Sequence, residues 1–187
     1  MLFPDHVHAS LPKWKFWTRM DRALLNEKGE AVARLKKSWA QHASVLDAEG
    51  NFLVKAKLQI GVKADLYDAK EKKLGSVKSL RFSVKAFFSD VRELWCISED
   101  GLNPYLFLWP VEKAKVAHDV PNEVDIAHAT EAYQIVKGNN VMATLVCGGG
   151  PVGFHENFDL VFEKGTDEGD RLLCTALTGY KVHNLLK

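Results

Sequence analysis

Arg34 and Lys36 stand two residues apart, and Lys55 and Lys57 repeat that spacing 21 positions later. Residues two apart in an extended strand share a face, so each pair presents two cations on one side. The interleaved residues, Ala31, Ala33 and Leu35 and then Phe52, Val54, Ala56 and Leu58, are expected to face a core. Set side by side, the two pairs would form a basic band able to hold phosphate. Near a membrane surface each such contact contributes about 1 kcal/mol. Lys78 extends the band if a third copy of the spacing keeps register. The plain alternative is a solvated outer face whose lysines keep the protein soluble. A second basic stretch, Lys13-Trp14-Lys15-Phe16-Trp17, alternates cation and aromatic. At a membrane, Trp14 and Trp17 would sit at headgroup level while Lys13 and Lys15 meet phosphate. Single-stranded nucleic acid could stack on the same rings. The commoner form of this pattern is a first strand with its aromatics inward.

The residue types that carry catalysis or bind metals lack the spacing to do so. His6 and His8 share one side of an extended chain, a weak metal pair. His118 and His128 have Asp119, Glu123 and Asp125 nearby, but no His-Glu-x-x-His pattern is present. There is no Gly-x-Ser-x-Gly elbow, and Gly148, Gly149 and Gly150 are not followed by the Lys-Ser/Thr of a phosphate loop. His155 and Glu156 just after them would lie at a rim, and two residues are not a mechanism. Cys96, Cys147 and Cys174 are an odd set without paired spacing, as expected of buried free thiols in a reducing cytoplasm. No enzyme activity, metal or cofactor is expected.

The elements that would position the cations follow from a near-repeat. Asn26-Glu27-Lys28-Gly29 and Asp47-Ala48-Glu49-Gly50 both sit between apolar runs, and Asp68 opens a looser third copy in which Gly75 arrives late. Asn or Asp bonds its own backbone in such a turn, and Gly accepts the positive φ. Hairpins are therefore expected from residues 22–25 with 30–37, 43–46 with 51–58, and 64–67 with 74–80. Residues 81–88 continue the alternation. Further strands are expected at 93–97, 105–109, 133–136, 141–147 and 157–163. Residues 113–120 and 124–132, bounded by Pro110 and Pro121, read as short helices or connections. Residues 1–12 read as an irregular lead-in.

About 10 to 12 short strands argue for an all-β barrel or sandwich, and closure would remove exposed edges. Residues 171–186 differ. Leu172, Leu173, Ala176, Leu177 and Tyr180 recur at helical spacing, with Cys174, Thr175 and Thr178 on the remaining faces and Asp170 as a candidate N-cap. A helix apolar nearly all round belongs inside something. Gly179 counts against it, costing about 1 kcal/mol relative to alanine, and a closing strand is the alternative.

At 187 residues a single domain is expected. The opening residues lack a basic region followed by an apolar stretch, so no secretory signal is expected. The near-zero net charge hides an asymmetry. Residues 1–94 hold 18 Lys/Arg against 11 Asp/Glu, a net of +7, and residues 95–187 hold 7 against 13, a net of −6. A basic half favours phosphates, unless the halves neutralise each other across one fold.

Serial hairpins with Asn26-Glu27-Lys28-Gly29 and Asp47-Ala48-Glu49-Gly50 turns, ending in an apolar run from Leu172 to Leu186, resemble the tubby-like superfamily. Its members include tubby C-terminal domains, phospholipid scramblases and LURP-one-related proteins. The resemblance covers residues 14–187. It implies a closed barrel of about twelve antiparallel strands around a central hydrophobic C-terminal helix. The chain has no acidic calcium loop of the scramblase type, no Cys-rich palmitoylation cluster and no positional match to the tubby phosphoinositide residues. The resemblance therefore implies a fold more than an activity.

Together these features lead to the expectation of a cytoplasmic, non-enzymatic protein, peripheral at a membrane. It would bind anionic phospholipid headgroups through Arg34, Lys36, Lys55, Lys57 and Lys78, with Trp14 and Trp17 as membrane contacts. No nucleic-acid partner is expected, and a protein partner is left open. The alternatives are a lipocalin-type carrier of a small hydrophobic ligand, which needs a hollow interior, and an enzyme with an unrecognised site near His118, His128 or His155.

Overall fold

The computed structural model describes residues 3–10, 21–37, 43–59, 62–79, 95–99, 103–148 and 157–183. Twelve antiparallel strands form a closed barrel in which each pairs with its neighbours in sequence and the first pairs with the last. They are β1 (His6–Ser10), β2 (Asp21–Leu25), β3 (Ala31–Lys37), β4 (Ala43–Asp47), β5 (Phe52–Gln59) and β6 (Val62–Tyr67). β7 (Lys73–Ser79), β8 (Trp95–Ser98), β9 (Pro104–Val111), β10 (Ala129–Lys137), β11 (Asn140–Gly148) and β12 (Asn157–Phe162) complete it. A short helix α1 (Lys113–Val116) follows β9, and α2 (Glu168–His183) follows β12.

The Asx turns behave as their chemistry requires. The Asn26 side-chain oxygen accepts from the amides of Lys28 and Glu30, Asp47 from Asn51, and Asp68 from Lys70 and Lys72. Gly29 and Gly50 take φ of 77° and 95°. The third turn corrects the sequence reading. Gly75 lies inside β7, and the positive-φ position belongs to Glu71, at 60°. Glu71 stands 21 residues after Gly50, as Gly50 stands 21 after Gly29, so the repeat keeps its period and changes its residue.

The stretch read as a lead-in contains β1. Val7 and Ala9 face the core while β1 pairs with β12 along its length and meets β2 at His8 opposite Leu25. Only two apolar residues alternate there, too short a pattern to stand out. Of residues 113–120 only four are helical, and 124–128 are bends and irregular backbone leading into β10. Val120, Val124 and Ile126 of this connection pack with Ala129, Val146 and Val161 in a small separate cluster. The Lys-aromatic stretch at 13–17, whether strand or membrane-contacting arm, and the expected strand at 81–88 lie outside the described residues.

The central helix is where the sequence placed it. α2 packs against β3, β4, β5, β8, β11 and β12, strands on opposite sides of the cylinder. Cys174 to Val182 are buried without a break, which only an enclosed helix achieves. Sixteen residues give a rod of about 24 Å. Its cap is Asp167, whose carboxylate accepts from the Asp170 amide at 2.9 Å, and Asp170 itself lies in the first turn. The rod is not purely oily: Arg171 is 2% exposed and Lys181 3%.

Candidate functional site

The outward face of β3 to β7 carries the predicted cations. Ala33, Leu35 and Val54 are buried in the core, and Arg34, Lys36, Lys55 and Lys57 alternate with them. The pairs do not abut. β4 lies between them, with Leu46 opposite Arg34 and Ser44 opposite Lys36, so β3 and β5 stand about 10 Å apart. Phe52 departs from its expected inward position. A register shift between Val45 and Leu46 sets it opposite Leu46, and it is 40% exposed. Ala31, beyond a comparable shift in β2–β3, is also exposed.

Each pair has its own counter-ion. Arg34 donates from Nε and Nη2 to the two carboxylate oxygens of Asp21 at 3.0 and 2.8 Å, a bidentate match. Lys55 and Lys57 both reach one carboxylate, that of Glu71. Lys55 Nζ lies 3.1 Å from Oε1, and Lys57 Nζ bonds Oε2. Lys57 also sits 4.4 Å over the Tyr67 ring and Lys55 5.9 Å over that of Phe52. The bonds from Lys57 and then Lys55 hold the Glu71 carboxyl below the usual glutamate range, and the bond to Glu71 raises Lys57. Lys36 and Lys78 carry no ion pair among the described residues. Lys78 lies opposite Cys96, whose thiol burial pushes up to about 11.

Trp14 and Trp17 lie outside the described residues. The exposed large apolar side chains that the structure does show are Phe52 and Trp109, the latter 38% exposed and stacked on Phe107 at 5.9 Å. Both belong to strands read correctly. Trp109 is on the outward side of the β9 alternation against buried Leu106 and Leu108, and that alternation is the sequence signal for its exposure.

The charged groups of α2 and of the strands around it have structural partners. Arg171 donates to the carbonyls of Thr166 and Phe3 and to Asp5 Oδ1, over the Phe162 ring. Lys137 bonds both oxygens of Asp170 at 2.8 Å. Toward the other end, Lys181 lies 3.2 Å from Glu131, which also accepts from the Tyr133 hydroxyl. Arg22 sits over Phe158, and burial pushes its pKa down to about 10.

His6 and His8 stand together, ring centroids 6.0 Å apart, with no further ligand group to complete a metal site among the described residues. His6 Nε2 pairs with Asp159 at 2.9 Å, His128 pairs with Asp125 on the surface, and His118 is exposed. His155 and Glu156 lie outside the described residues. No group of three or more His, Cys, Asp or Glu among the described residues has the geometry to hold a metal. No helix among them is long and apolar enough to cross a membrane.

Comparison with known proteins adds no relative: no family model, curated protein or solved structure matches this chain.

Proposed function

We propose that this protein is a tubby-like barrel that recognises anionic phospholipid headgroups at a membrane surface, through its β3–β7 outer wall and without catalysis. The observation that carries the reading is the Lys55–Lys57 pair, two outward ammonium groups converging on one anionic group above the Phe52 and Tyr67 rings. Lys36 and Lys78 add cations on β3 and β7, each two strands away from β5. Exposed ion pairs contribute little, so an incoming phosphate competes with the present counter-ions at low cost. α2 occupies the space that a lipocalin-type carrier would need for its ligand, which favours binding on the exterior.

Co-sedimentation with vesicles tests this. The protein should pellet with phosphatidylcholine vesicles doped with phosphoinositide or phosphatidylserine, and the binding should weaken with salt. Binding no stronger than to pure phosphatidylcholine would refute it.

A further inference from the structure

Glu71 is the odd member of three equivalent turns. The first two place Gly at the positive-φ position, where an L side chain is disfavoured, and the third places Glu there. That exception puts a carboxylate on two lysines of the neighbouring hairpin. Strain retained at one copy of a repeat points to a use for the residue that causes it.

The charges around it do not balance. Two ammonium groups meet one carboxylate, leaving a net charge of +1 on an exposed clamp. A phosphomonoester carries about −1.5 to −2 at pH 7 and offers three acceptor oxygens. It would match both lysines more completely than a carboxylate with one charge and two oxygens. The Arg34–Asp21 pair differs, because a planar guanidinium and a carboxylate already satisfy each other.

Building on the reading that this wall takes anionic headgroups, we propose that Lys55 and Lys57 form a phosphomonoester site which Glu71 occupies as an internal competitor. The ligand displaces the Glu71 side chain, the backbone of the turn stays in place, and the resting protein is thereby self-inhibited.

Three variants are compared on vesicles of phosphatidylcholine doped with a phosphoinositide monophosphate, and on vesicles doped with plain phosphatidylinositol, which lacks the monoester. Glu71→Gly restores the residue of the sister turns, so it should fold. Glu71→Gln removes the charge and keeps the side chain. Both should bind the monoester vesicles about fivefold more tightly than the natural protein, the effect of one further uncompensated lysine. Adding Lys55→Ala and Lys57→Ala to Glu71→Gly should abolish that gain.

If the natural protein binds and the lysine substitutions weaken it, but neither Glu71 variant binds more tightly, the internal competitor is refuted and the headgroup reading stands. An equal gain on plain phosphatidylinositol refutes the monoester preference. No binding by any variant refutes both readings. Inorganic phosphate, compared with chloride at equal ionic strength, separates the two sources of this chemistry: displacement beyond that by chloride supports the site with a soluble phosphoester as ligand, and displacement equal to that by chloride supports it with the lipid headgroup.

Discussion

Gly179 of the central helix lies flush against Ala43 of β4. A Cβ at position 179 would meet the Ala43 Cβ at 3.0 Å and Leu35 Cδ2 at 3.2 Å. The glycine that weakens the helix by propensity is thus the point where helix and wall touch most closely. Alanine there trades a propensity gain of about 1 kcal/mol against this crowding. Gly179→Val has no such balance and should destabilise by about 1–3 kcal/mol in urea unfolding. An unchanged midpoint would mean that the helix has open space beside it.

Arg171 ties the helix to the start of the chain. Its guanidinium satisfies the carbonyls of Phe3 and Thr166 and reaches Asp5. Arg171→Met keeps much of the volume and removes every donor. Leaving the two buried carbonyls without partners should cost about 1–3 kcal/mol. Equal stability of the variant and the natural protein would show that β1 is held by sheet pairing alone.

The three buried cysteines make stability fall on the alkaline side. Burial pushes the Cys96 thiol up to about 11 and the Cys147 thiol up to about 12, from an ordinary 9.0, and raises Cys174 as well. The unfolded chain therefore releases these protons first. The contribution is complete below pH 9.0 and is lost as pH rises through the folded values. The loss approaches about 1.4 kcal/mol per thiol per pH unit. Unfolding free energies at about pH 8 and about pH 10 should differ less in Cys147→Ala than in the natural protein. An identical pH dependence would contradict this.

The barrel was legible because its signals are local. Asn26, Asp47 and Asp68 each bond amides two to four residues away, and a turn of that kind is written in adjacent residues. The helix was legible for the same reason, through the spacing of Leu172, Leu173, Ala176, Leu177 and Tyr180. Partners across strands were not. Strand alternation says which side Lys55 and Lys57 occupy, but not that Glu71 stands over them or that Asp21 takes Arg34. The spacing of the rod gives no sign that Arg171 and Lys181 are buried in it, because their partners Phe3, Asp5 and Glu131 come from a distant strand and the chain start. Phe52 was misassigned because one register shift moves a residue to the other face.

The enclosure of α2 underlies both the exterior binding reading and the stability predictions, and amide hydrogen exchange reaches it most directly. Amides from Cys174 to Lys181 should exchange only through global unfolding, with protection tracking the full unfolding free energy as urea is added. Exchange of these amides at a rate set by local fraying, while the strands stay protected, would place the helix outside the barrel and contradict the filled lumen.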